Sequence, residues 1–381
     1  MLVGGGIVPE RRTAEPPPSF SPPDPEAAPE PPDVPGPGTS LADRRRVERL
    51  EALGFQVASG SEPTADGWPS AVYQTTDEGS SIDFELSDGY YLPIGVRVDP
   101  DAGPAEDGWP RVLFREVDHG DGDSQRVEFV RIPGGSCAMG DFTPSGGRLR
   151  DNAALPVHRV TVSGFYMQRF EVTIGEIAAY YRGLRVAEAE WPHHPFRDYV
   201  RRVQDAFGLH QARRHPASCL DHIEATRLAA GLGGRLPTEA QWEYAARSRG
   251  KNHVFVGDDR ERALILVEGA GSLPVATVPV EEGAEDQTEQ RVADLSGNVS
   301  EWCRDYYEAY PETPSPDPDP WVRPAGRAGL HVVRGGSLFD GEANARTFDR
   351  SDPFDRINLA EYVGFRIVIK PPAIGPALGA D

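Results

Sequence analysis

The chain has 381 residues, 60 of them acidic and 39 basic, for a formal charge of -21. A surface this negative repels phosphate backbones and sets nucleic acid aside as a partner. No run reaches the roughly 20 apolar residues of a membrane helix, and three widely spaced cysteines (Cys137, Cys219, Cys303) argue against a disulfide framework.

The opening "MLVGGGIVPERR" has too short an apolar segment and no basic start for a secretory signal, so a cytoplasmic location is the default expectation. Residues 1–40 form a Pro-rich, acidic leader that cannot bury enough apolar surface to offset its ordering entropy. Residues 41–126 read as a short helix plus a small β-rich region. Leu41, Val47, Leu50 and Leu53 give the helix its spacing. Candidate strands follow at "AVYQTT", "SIDFEL", "YYLPIGVRV" and "RVLFREV", divided by acidic turns.

A larger unit spans 127–370, with a flexible tail at 371–381. "RVEFVRIPGG" and "PVHRVTVSGFYM" read as strands. Thr173 with Glu176, and Thr238 with Gln241, form capping boxes for two helices. Ile177, Tyr180, Tyr181 and Leu184 would face inward from the first, and Trp242, Ala245 and Ala246 from the second. The profile is α+β, short helices on twisted antiparallel strands.

Six motifs occur in order over residues 127–369: "IPGGSCAMGD", "HPASCLDHIEA", "GGRLPTEAQWEYAARS", "DLSGNVSEWCRD", "VVRGGS" and "VGFRIV". Together they resemble the formylglycine-generating enzyme, or sulfatase-modifying factor, family. The resemblance implies a C-type-lectin-like fold and leaves function open, since such relatives include copper oxidases, iron-dependent sulfoxide synthases, pseudo-enzymes and binding modules.

The family's copper oxidases hold Cu(I) on two cysteines after the "GGS" frame. Counted without gaps, those positions are Asp340 and Ala345 here, and no cysteine follows Cys303. A hard carboxylate does not replace a soft thiolate, so the resemblance speaks against copper and assigns no catalytic residue. The iron branch is disfavoured too, because no H-x-x-x-H-x-E helix precedes the domain. His215, Cys219 and His222 have zinc-like spacing, yet the resemblance has His215 entering a strand and puts His222 where the family usually has a tryptophan, which implies a packing role.

The loop "DLSGNVSEW" resembles a structural calcium site. Carried over, Asp294 and Glu301 would give carboxylates, and Gly297 and Val299 backbone carbonyls. The alternative is a loop held by its own hydrogen bonds, Asn298 and Ser300 included. The segment after "GGS" is expected to present a binding face of Leu338, Phe339, Asp340, Arg346, Phe348, Asp349, Arg350, Phe354 and Tyr362, for a protein or small-molecule ligand. Three functions compete: a non-catalytic recognition module, an oxygen-dependent oxidoreductase with a non-standard site, and a variable protein of a diversity-generating retroelement. As such domains often accompany bacterial kinases, a signalling partner is a further expectation.

Overall fold

A computed structural model describes residues 41–65, 68–143, 153–191, 194–265, 267, 277–281, 286–313, 315, 318–322, 330–351 and 362–371. The leader, the tail beyond Pro371, and Phe354 lie outside the described residues. The elements in chain order are α1 (Leu41–Ala52), β1 (Gln56–Val57), β2 (Ala71–Thr75), β3 (Ser81–Ser87), β4 (Tyr90–Pro93), β5 (Arg97–Val98), β6 (Val112–Asp118), β7 (Ser124–Ile132), β8 (Gly135–Met139), β9 (His158–Val162) and β10 (Phe165–Gln168). Then come α2 (Ile174–Gly183), α3 (His194–Phe207), α4 (Leu209–Ala212), α5 (His222–Gly231), α6 (Glu239–Ala246), α7 (Arg260–Ala263), β11 (Ser300–Tyr306), β12 (His331–Arg334), β13 (Val363–Gly364) and β14 (Val368–Ile369).

A duplication runs through the first half. "PTADGWP" at 63–69 recurs as "PAEDGWP" at 104–110, and the surrounding strands repeat with it. Gln56 faces Tyr73 across β1 and β2, and 41 residues on, Arg97 faces Phe114 across β5 and β6. Each loop closes on its Trp carbonyl, which accepts from Thr64 N–H at 2.8 Å in one copy and Ala105 N–H at 2.7 Å in the other. Each is then anchored at its proline carbonyl by a buried tyrosine hydroxyl at 2.7 Å, Tyr91 on Pro69 and Tyr166 on Pro110.

The two copies meet different fates. The first stays a sheet of its own, β1-β2-β3-β4, while the second enters the five-stranded sheet β14-β10-β7-β6-β5. The expected boundary at 126/127 thus falls inside the β6–β7 hairpin, whose register runs from Val112↔Val130 to Asp118↔Ser124. "YYLPIGVRV" is split for the same reason. Gly95, at φ +79°, turns the chain so that β4 and β5 serve different sheets.

Both capping boxes form as read, with Glu176 N–H donating to Thr173 Oγ1 at 3.2 Å and Gln241 N–H to Thr238 Oγ1 at 3.1 Å. α6 is buried along its whole length and α2 on one side, where Ile177 and Tyr181 are covered while Leu184 faces solvent. A third box, Asp221 with Glu224, starts α5. The larger core joins the five-stranded sheet to α2, α3 and α5 through Phe129, Ile177, Phe196 and Phe365; a second core packs α6 and its Trp242 under β11 and β12. This α+β arrangement is the one expected.

Candidate functional site

The segment after "GGS" rests on buried ion pairs. Gly335 and Gly336 adopt φ of +91° and +70°, and a Cβ on Gly335 would meet the Leu295 carbonyl at 2.9 Å, so the turn requires glycine. Just before it, Arg334 at the end of β12 is fully buried between Glu243 and Glu239 of α6. It also donates to the Thr347 carbonyl at 3.1 Å. Arg350 grips Glu239 with two bonds of 2.7 and 3.1 Å and the carbonyls of Ala153 and Glu308 at 2.9 Å. Two cations on two α6 carboxylates thereby pin both ends of the segment, at a desolvation cost that only complete pairing offsets.

This corrects part of the expected face. Leu338, Phe348 and Arg350 are buried: Phe348 stacks edge-on with Phe142 at 5.6 Å, and Arg350 is spent on Glu239. Asp349 and Arg346 are half-buried, Asp349 accepting from Asn344 Nδ2 at 3.1 Å. Phe339 is 52% exposed and its ring lies 4.1 Å from that of half-buried Tyr362. Among the described residues, Phe339 is the one aromatic of the exposed large hydrophobic side chains.

The two positions expected of copper thiolates are occupied by structural groups. Asp340 accepts from Ser337 N–H at 2.7 Å and Ser337 Oγ at 2.6 Å, closing a tight turn. Ala345 is buried with Phe255 and Ala263, and its carbonyl accepts from Ser296 Oγ at 3.1 Å. Cys137 and Cys303 are poor ligands: burial pushes the Cys137 thiol up to about 11 and Cys303 well above its ordinary value.

Under this segment lies "DLSGNVSEW". Asp286, which sequence reasoning missed, organises it by accepting the backbone N–H groups of Asp294, Leu295 and Ser296 at 2.7, 3.0 and 2.7 Å. Asn298 ties the loop to Val278 through both side-chain atoms, whereas Ser300 Oγ is buried without a bond among the described residues. Glu301 is saturated. Arg366 binds both its oxygens at 2.6–2.9 Å and Trp242 Nε1 adds a bond at 2.8 Å. Arg366 also gathers the carbonyls of Gln168, Arg169, Ala293 and Asp294.

Asp294 is the exception. Its two oxygens, and both oxygens of the neighbouring Glu171, are buried without a hydrogen bond of ordinary geometry among the described residues. Burial pushes Asp294 up to about 7 against the pull of Arg366, and burial beside Asp294 pushes Glu171 well above the carboxylate range. Glu171 lines a cavity of about 390 Å³. These orphaned carboxylates fit a bound cation; Glu301 does not, because its oxygens are committed. Among the described residues no three His, Cys, Asp or Glu side chains converge as metal ligands. Glu171 was not anticipated either; the only signal for it is the "EVT" that leads into α2.

The zinc-like spacing resolves into packing. His215 Nδ1 meets Thr277 Oγ1 at 2.8 Å, and His222 stacks on His331 with centroids 3.3 Å apart while its Nε2 meets the Cys303 carbonyl at 3.1 Å. Burial lowers His215 to about 4 and His222 to about 3.

The family model described as a sulfatase-modifying factor enzyme 1-like domain matches residues 117–371. The chain belongs to this family. The match starts within β6, inside the second structural repeat, so the first copy lies outside it. A formylglycine-generating enzyme of Streptomyces coelicolor is 29% identical over 252 residues, covering 55% of this chain and 77% of its own. The inactive C-alpha-formylglycine-generating enzyme 2 of Bos taurus is 28% identical over 272 residues, 59% and 82% of the two chains. The serine/threonine-protein kinase Pkn1 of Chlamydia trachomatis is 28% identical over 221 residues, 55% of this chain; the match spans only 33% of the kinase's length. In this sulfatase-modifying factor domain no cysteine follows Cys303, and the two positions counted after "GGS" are Asp340 and Ala345. No helix among the described residues is long and apolar enough to cross a membrane.

Proposed function

We propose that this chain is a non-catalytic recognition module of the sulfatase-modifying factor family, and that the tip formed by Phe339 and Tyr362 contacts its ligand. One observation carries the reading: the loop that would bear the family's reactive thiols has Asp340 and Ala345 in structural roles and exposes Phe339, backed by the half-buried Tyr362, instead. Aromatic side chains give large, rigid contact area at low entropic cost, which suits a binding hot spot. The half-buried Arg346 and Asp349, further along the same segment, supply charge for specificity. A relative named as inactive supports the same direction.

Selection of a displayed peptide library on the wild-type protein tests this tip. Phe339→Ala with Tyr362→Ala should abolish binding of the enriched peptides while leaving the melting midpoint in place. Peptides that bind the double variant equally well would place recognition elsewhere.

The reading includes a structural cation, calcium by donor chemistry, held by the Asp294 carboxylate with the Gly297 and Val299 carbonyls. The orphaned oxygens of Asp294 and Glu171 support it, and Glu301 takes a supporting place through Arg366. Calcium should raise the melting midpoint of chelator-treated protein, and Asp294→Asn should remove that response. An unchanged midpoint in the wild type would eliminate the cation.

A further inference from the structure

A cleft of about 900 Å³ lies on another part of the molecule, between the first copy of the repeat and the family domain. Its walls bring together three cations from three elements. Arg235 sits in the connection before α6, bridged through its backbone to Val368 at 3.0 and 2.7 Å; Lys370 follows β14 on the rim; Arg304 projects from β11. The gathering is anomalous in a chain of charge -21. Like charges repel unless carboxylates or a bound anion offset them.

Four carboxylates line the same cleft, Asp77, Glu239, Asp305 and Asp319, and each has a partner: Arg350 binds Glu239, and Asp305 accepts from the Glu239 and Val322 N–H groups. Asp77 and Glu78, on the β2–β3 turn, both bind Arg304, Glu78 at 2.9 Å. Asp319 accepts from Ser163 N–H at 2.7 Å. Arg235 and Lys370 make no ion pair among the described residues. Burial, joined by the neighbouring Arg304 for Arg235 and by Arg235 for Lys370, lowers both below their ordinary values, against the opposing pull of Asp77 and Glu78 on the first and of Asp319 and Asp77 on the second. Trp321 adds a flat wall, with the Arg304 guanidinium 4.0 Å from its ring centre.

We propose that this cleft binds a small oxyanion, the phosphate or carboxylate group of an organic ligand, through Arg235 and Lys370, with Arg304 held ready by Asp77 and Glu78. The dimensions suit a small molecule, and the cleft combines an aromatic wall with a few convergent charges, as ligand pockets do. Arg304 is held by Asp77 and Glu78 of the first repeat, whose residues also form one wall of the cleft, so the docking of that copy shapes the site. This gives the duplicated unit a purpose that its sheet alone does not.

Isothermal titration of the full chain with inorganic phosphate, pyrophosphate and citrate, at constant ionic strength, tests the site. Saturable binding of at least one of them is expected, weakened at least about tenfold by Arg235→Gln with Lys370→Gln, the loss expected for removed charge-assisted bonds. Lys370→Gln alone, on the exposed rim, keeps the test valid if the double variant misfolds, and Arg201→Gln on α3 is the charge-matched control for that single variant. Preference for phosphates assigns a phosphoryl ligand, and preference for citrate a carboxylate one. Absence of saturable binding, or equal loss in Arg201→Gln, would overturn the proposal.

Discussion

The two parts of the segment after "GGS" differ in every physical respect. Ala345, Phe348 and Arg350 are scaffold: the first two fill core space, and Arg350 closes a buried ion pair. Phe339, a few residues earlier, stands 52% exposed and touches Tyr362. Position in a loop therefore does not define a binding face. What defines it is which side chains the buried charges leave outside, and here Arg334 and Arg350 draw most of the segment inward.

Breaking the buried side should cost most. Arg334→Met removes the cation between Glu243 and Glu239 and leaves two buried carboxylates short of a partner, a loss of roughly 3–5 kcal/mol, measured by urea denaturation. Phe348→Ala vacates the contact with Phe142 and should cost about 3 kcal/mol in the same titration. If either variant were as stable as the wild type, the segment would not be anchored as described.

The stacked imidazoles of His222 and His331 belong to the scaffold as well. Burial lowers both, His222 to about 3, so the fold favours the neutral rings. The unfolded chain takes up protons near pH 6.5 while the folded chain resists. Their contribution is thus complete above about pH 6.5 and is lost as pH falls toward 3, at up to about 1.4 kcal/mol per pH unit for each proton. His222→Gln should flatten that slope in denaturation curves collected across the range. On the exposed side, Phe339→Ala should shift stability by no more than about 0.5 kcal/mol while weakening ligand binding at least about tenfold.

How far the sequence reaches follows the same division. Both capping boxes were legible because their partners are three residues apart and the chemistry is local. The fold was legible through six ordered motifs. The burial of Arg350 was not, since its partner Glu239 lies 111 positions away and an arginine among aromatics reads equally well as surface. Phe348 and Leu338 misled for a related reason: residue type gives contact area but not the side it faces. Glu171 and Asp294 became a pair only through folding. The repeat "DGWP" stood in plain letters, yet its meaning emerged only when Tyr91 and Tyr166 were found on equivalent proline carbonyls.

The central claim, that a family scaffold here serves recognition and not thiol oxidation, is tested most directly by incubating the purified chain with Cu(I), oxygen and a cysteine-containing peptide. Oxygen uptake and peptide mass are followed together. Asp340 and Ala345 predict no oxygen consumption above the copper-only control and an unchanged peptide. Turnover that converts the peptide cysteine to an aldehyde would contradict the account.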